Sequence, residues 1–224
     1  MQCKSFPRLK NVIFAPLFAI TMSEELRIIE ESLHLFIKLG VRSVNMDDAA
    51  RELGISKKTL YKHFSNKADL VERAFTHLVN SIHSQLMEVR GVAESPIDEL
   101  FKMDVMMNEV FKDHHPAMAF QLRKYYPSTW NLVNEMRYNM FLPAIVENIE
   151  QGMKLGLYRA NIIPELTARL YFKKIDFFLE GTIFGELHIG IPTFTRAVLE
   201  YHLRGICTNK GLQIAELKLD KHPL

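Results

Sequence analysis

Cysteine is nearly absent from this 224-residue chain, in which Cys3 and Cys207 are the two thiols. Two cysteines cannot build a disulfide framework, and neither sits in a CxxC or Cys/His arrangement with zinc spacing, so a reducing compartment is the better fit. Glycine and proline are also sparse, at 10 and 9, which excludes collagen-like and low-complexity readings. Neither charge sign dominates: 28 Lys and Arg against 26 Asp and Glu leave a formal +2, so affinity for nucleic acid has to come from a local patch. No apolar run approaches the roughly 18 residues that a membrane-crossing helix needs; the expectation is a cytoplasmic chain with no membrane partner. HExxH, P-loop, GxGxxG and GxSxG patterns are missing, and no nucleophile, base and orienting group assemble. No catalytic residue, metal site or cofactor is therefore expected, and the chain does not read as an enzyme. What is there is an ordinary globular composition, 48% hydrophobic and 24% charged, in a length that suits one large domain or two modest ones.

Residues 1–21 imitate a signal peptide, with Lys4, Arg8 and Lys10 ahead of an apolar run over 12–20. Pro16 interrupts that run, and no small-residue cleavage pattern precedes Met22. Met22 is thus expected as the natural start, with 1–21 an extension outside the fold. From Ser23 onward apolar residues recur every three or four positions without sustained alternation, which predicts an all-α chain. Leu26, Ile29, Leu33 and Phe36 form a first stripe ahead of Gly40; Leu70, Ala74, Leu78, Ile82 and Leu86 form a second that runs out near Gly91. Beyond Pro96, breaks at His114-His115-Pro116, Tyr126-Pro127-Ser128, 156–164 and Gly190-Ile191-Pro192 leave room for five helices. Pro143 is expected to kink or break the third of these. Residues 213–224 read as a tail.

The informative segment is 45–70, NMDDAARELGISKKTLYKHFSNKADL. Asn45 can cap a helix over 46–53 with Asp47 and Asp48 in its first turn, Gly54 ends it, and Ser56 can cap a second helix from Lys57 to about Phe64. A three-residue link between two short helices is helix-turn-helix geometry. Asn66 and Asp69 then signal the start of the long helix. Ala49, Ala50, Leu53, Ile55, Leu60 and Phe64 point inward in this arrangement and leave Lys57, Lys58, Thr59, Tyr61, Lys62 and His63 outward. With Lys67 there are four lysines and no acid between Gly54 and Lys67, a patch suited to DNA phosphates, while Thr59 and Tyr61 can reach base edges or phosphates. The expected DNA-binding set is Asn45, Lys57, Lys58, Thr59, Tyr61, Lys62, His63 and Lys67.

The segment from Gly40 through Leu70 resembles the DNA-binding domain of the TetR family of transcriptional regulators. The glycine entry at 40–44, Asp48-Ala49-Ala50 leading to Gly54, the recognition helix of 56–64 and Asn66-Lys67 leading to Leu70 carry the likeness. Val44 and Asn45 stand where the family often has Ser/Thr, and Lys58 where Gly or Pro is common. The resemblance implies a three-helix DNA-binding domain over 22–68, followed by a helical effector-binding and dimerisation domain over 69–212. It further implies a homodimer on a palindromic double-stranded operator, released by an unknown small-molecule effector as a repressor is. The alternative is a DNA-bound protein that lacks an inducer and recruits a protein partner.

The second domain is rich in Met and aromatic side chains, which line adaptable pockets and also simply fill cores. Met107, Phe111, Tyr125, Trp130 and Tyr171 are the candidate ligand contacts. The apolar load over 175–184 and 194–206 suits two helices contributed to a dimer interface; Gly181 and Gly185 suit either close helix approach or a flexible loop. Cys207 reads as a small buried hydrophobe.

Overall fold

The computed structural model describes residues 23–112, 118–174, 176 and 188–221. They form ten helices and one isolated bridge, between Tyr158 and Cys207, with no sheet among them.

Local chemistry sets the first boundaries. Helix α1 (Glu24–Leu39) begins at Ser23, whose hydroxyl oxygen accepts from the Leu26 N–H, and places Glu24 and Glu25 at the positive end of its dipole. It stops at Gly40, where φ is +83° and the N–H donates back to the Phe36 carbonyl. Helices α2 (Met46–Glu52) and α3 (Lys57–His63) follow, each with a side-chain cap. Helix α4 (Lys67–Gly91) starts at Asn66, whose amide oxygen accepts from the Asp69 N–H. The expected stripe from Leu70 to Leu86 is buried, and Val71, Phe75 and Val79 are buried beside it. This wider apolar band lets α4 pack on α1 and also on two later helices. Each large side chain so buried contributes about 1.5–3 kcal/mol, so α4 is a wall held from both sides.

Helix α5 (Pro96–Phe111) is capped by Ser95 and carries proline in its first turn, where the missing N–H costs nothing. Next come α6 (Met118–Tyr125), α7 (Pro127–Lys154), α8 (Pro164–Phe172), α9 (Ile191–Ile206) and α10 (Asn209–Lys221). In the core between α5 and α7, the Asn148 amide donates to the Pro96 carbonyl and to Glu99 Oε2, both at 2.9 Å, and accepts from the Tyr158 hydroxyl at 3.3 Å. Gly152 is needed beneath this tyrosine, because a Cβ there would overlap its ring. The Leu157 carbonyl accepts from the Thr208 N–H at 2.9 Å, and the Ile206 carbonyl accepts from the Arg159 N–H at 2.8 Å; these bonds stitch the α7–α8 connection to the end of α9.

Of the two outcomes expected at Pro143, a break does not occur: α7 runs on to Lys154, and Pro143 lies on the exposed side, where water can serve the backbone carbonyl left without a donor. The C-terminal expectation is corrected. Residues 213–221 are not a tail but continue α10, and six helices from Pro96 onward lie among the described residues. Ala215 is fully buried, the Lys218 ammonium pairs with Asp98 on α5, and Arg196 donates to the Leu219 carbonyl at 2.8 Å. The expectations for 1–21 and Met22, for His114-His115-Pro116, and for 175–184 with Gly181 and Gly185 lie outside the described residues, Asp176 excepted.

Candidate DNA-binding face and internal cavity

The α2–α3 unit is held by short-range hydrogen bonds. Asn45 Oδ1 accepts from the N–H groups of Asp47 and Asp48 at 2.9 and 2.8 Å, and Asp48 Oδ2 accepts from the Asn45 N–H at 3.1 Å. This reciprocal cap, with Arg51 beside it, holds the Asp48 carboxyl below its usual pKa. The Ser56 hydroxyl accepts from the Thr59 N–H at 3.0 Å and lies 2.8 Å from the Thr59 hydroxyl. Leu60 and Phe64 are fully buried and seat α3 on the domain.

The eight expected DNA-binding residues divide into four groups. Lys58, Tyr61 and Lys62 are exposed and make no hydrogen bond or ion pair among the described residues. Lys57 is exposed but paired with Asp47 at 2.8 Å, a hydrogen bond that raises its pKa. Asn45 and Thr59 spend their side chains on the two caps. The remaining two are drawn inward. His63 Nε2 lies 3.0 Å from Glu24 Oε2 with the ring mostly covered by the start of α1. Lys67 is half-buried with its ammonium 5.9 Å from the Tyr126 ring centroid, and burial lowers its pKa.

Behind the reading head, α4 through α9 enclose a cavity of about 130 Å³ whose walls are almost wholly apolar. Met107, Phe111, Trp130 and Tyr171 line it. Tyr125 does not: it sits 40% exposed on the outer side of α6, with the Arg42 guanidinium 5.3 Å from its ring centroid. The polar groups on the wall are Arg137, Lys174, Thr195 and the Tyr171 hydroxyl, and the sequence reading singled out the first three nowhere. Arg137 had a legible signal, because it interrupts the four-residue spacing of Val133, Phe141 and Ile145, all on the cavity side of α7. Among the described residues no cluster of three His, Cys, Asp or Glu could hold a metal, and no helix is long and apolar enough to cross a membrane.

Residues 28–74 match the family model of bacterial regulatory proteins, tetR family. Over that segment the chain is similar to the tetR family. It is 37% identical over 123 residues to the HTH-type transcriptional regulator SAB2452 of Staphylococcus aureus, an alignment that spans 50% of this chain and 65% of that protein. It is 20% identical over 149 residues to the HTH-type transcriptional repressor KstR2 of Mycobacterium tuberculosis, across 63% and 72% of the two chains. In fold it matches the transcriptional regulator FadR of Bacillus subtilis, solved in complex with stearoyl-CoA, with a TM-score of 0.65 at 17% identity over 81% of this chain and 98% of that one. The chain thus shares with these proteins an N-terminal helix-turn-helix unit, similar to the tetR family's over residues 28–74, and a helical domain behind it.

Two helices connect the halves. Phe75 on α4 borders the cavity and also stacks on Phe36 of α1, with centroids 6.5 Å apart. Helix α6 turns Met118, Ala119 and Leu122 to the cavity, while Gln121 Oε1 accepts from the Arg42 N–H at 2.9 Å.

Proposed function

We propose that the protein is a homodimeric repressor that holds a palindromic operator with the α3 helices of its two subunits and lets go when a small apolar or amphipathic effector enters the cavity. One observation carries the reading: α4 and α6 each present one face to the cavity and touch the DNA-binding domain with another, α4 at Phe36 of α1 and α6 at Arg42 in the turn that follows it. A ligand that spreads the cavity moves Phe75 against Phe36 and Gln121 against Arg42, and so changes the distance between the two recognition helices of a dimer. Successive major grooves tolerate little change in that distance.

Lys58, Tyr61 and Lys62 are the first-rank DNA contacts in this reading, Lys57 joins them by exchanging Asp47 for a phosphate, and Asn45 and Thr59 act chiefly by shaping the helix ends. The DNA-binding domain spans 22–68 and the effector domain starts at 69, with α10 as part of it. For the dimer face, α8 and α9 leave apolar side chains on the surface, including Leu166, Leu170 at 69% exposure and Tyr201 at 82%. Large exposed apolar groups on neighbouring elements mark an interaction surface.

The test is reciprocal linkage. Operator affinity measured with and without a ligand found by screening, and ligand affinity with and without operator, should change by the same factor, typically about fivefold to a hundredfold. Identical affinities in both pairs would leave a DNA-binding protein without induction.

A further inference from the structure

The cavity is apolar on nearly every side, yet two cations border it at the C-terminal end of α8. Arg137 is buried; its guanidinium donates to Asn134 Oδ1 at 2.6 Å and to Asp176 Oδ1 at 3.2 Å, and packs over the Phe172 ring. Asp176 does not belong to it alone, because Lys173 binds the same carboxylate at 2.7 Å. Lys174 donates to the Tyr171 hydroxyl at 2.7 Å, and no carboxylate lies within 4.0 Å of its ammonium among the described residues. Burial raises the pKa of Asp104 on α5, and Lys174 is the nearby cation that most opposes that rise. Among the described residues no Asp or Glu lines the cavity.

A cation bordering an apolar space with no carboxylate in contact is costly, and the cost is recovered when an anion arrives with its own hydrocarbon to cover the walls. An ammonium ligand would meet two like charges at low dielectric, and a neutral one would leave Lys174 as it is. We propose that the effector is an amphipathic anion, with a hydrocarbon body on the apolar walls and one anionic oxygen group, carboxylate or phosphate, paired with Lys174 and Arg137. This rests on the reading of the cavity as the effector site, and deepens it by naming the charge of the ligand.

The experiment is calorimetric titration of the full chain at neutral pH with four ten-carbon probes below their micelle concentrations: decanoate, decyl phosphate, decanol and decylammonium. At least one anion should bind tenfold or more tightly than decanol, with decylammonium weakest; which anion leads identifies the headgroup. Lys174→Met should shrink the anion-to-alcohol ratio at least fivefold with decanol affinity kept within twofold, and Lys174→Arg should restore it. Ala119→Trp, which fills the cavity from α6, should abolish all four. Equal binding of decanol and the anions, preference for decylammonium, or an unchanged ratio in Lys174→Met overturns the inference and leaves the cavity as effector site. Binding of none of the probes also overturns it; the cavity reading then survives if an apolar dye enters wild type and not Ala119→Trp, and falls if the dye enters neither.

Discussion

Phe36 and Phe75 stack at 6.5 Å with their planes 12° apart, and they belong to different halves of the protein. Phe36 is in the core of the DNA-binding domain, and Phe75 touches the cavity. The contact is dry and close-packed, and interiors of that kind transmit displacement because they lack slack. A second, polar link runs in parallel from Arg42 to Gln121.

Gln121→Ala removes the polar link and leaves the stack. Its side chain is partly exposed, so the stability loss should be small, about 0.5–1.5 kcal/mol by urea unfolding. The ligand-induced fall in operator affinity should shrink by more than threefold, read by fluorescence anisotropy of labelled operator. A variant that keeps full induction would place the coupling in the Phe36–Phe75 stack alone.

Gly40→Ala tests the same junction from the other side. A Cβ at Gly40 would sit 2.8 Å from Gln121 Oε1, at a φ of +83° that L side chains resist. About 1–2 kcal/mol should be lost to backbone strain, with a further loss from pushing Gln121 away. Adding Gln121→Ala should recover the second part and not the first.

On α3, Lys58→Ala and Lys62→Ala should each weaken binding to all sequences and reduce the salt slope of log K by about 1. Lys57→Ala should cost less, because its ammonium already has Asp47 at 2.8 Å. Asp47→Asn should therefore strengthen operator binding; weaker binding in a folded Asp47→Asn variant would contradict the placement of α3 against phosphate.

His202 gives a pH signature. Burial, with Lys174 as the next cause, lowers its pKa from 6.5 to about 3 while the ring stacks on Tyr171 at 4.0 Å. The unfolded ring takes up a proton below 6.5 and the folded ring does so only near 3, so the unfolded state binds more protons across that window. Stability must fall as pH drops from 6.5 to 3, by up to about 1.4 kcal/mol per pH unit from this group. His202→Phe keeps an aromatic ring in place and should flatten this part of the profile, measured as urea midpoint against pH.

The sequence was legible wherever the partner of a residue is its own neighbour. Asn45, Ser56 and Asn66 cap helices through N–H groups two or three residues away, so the caps and the helix-turn-helix follow from spacing alone. The α4 stripe was legible for the same reason, one helical turn at a time. His63 was misplaced as an outward group because its partner, Glu24, is 39 positions distant, and Tyr125 because Arg42 captures it from another domain. The helix over 213–221 was missed because Lys218 finds Asp98 across 120 positions of chain. Met107, Phe111, Trp130 and Tyr171 all reach the cavity wall, whereas Arg137 and Lys174 are brought to one end of it only by packing.

The stitch between Tyr158 and Cys207 makes the protein's own thiol a clock for local opening. Burial pushes the Cys207 pKa up to about 11, so at pH 8 only about one thiol in a thousand is the reactive thiolate, and reagents must wait for the junction of α7, α9 and α10 to part. In a Cys3→Ser background, the rate of Cys207 alkylation becomes a direct readout of how often that corner breathes and how far a bound effector slows it.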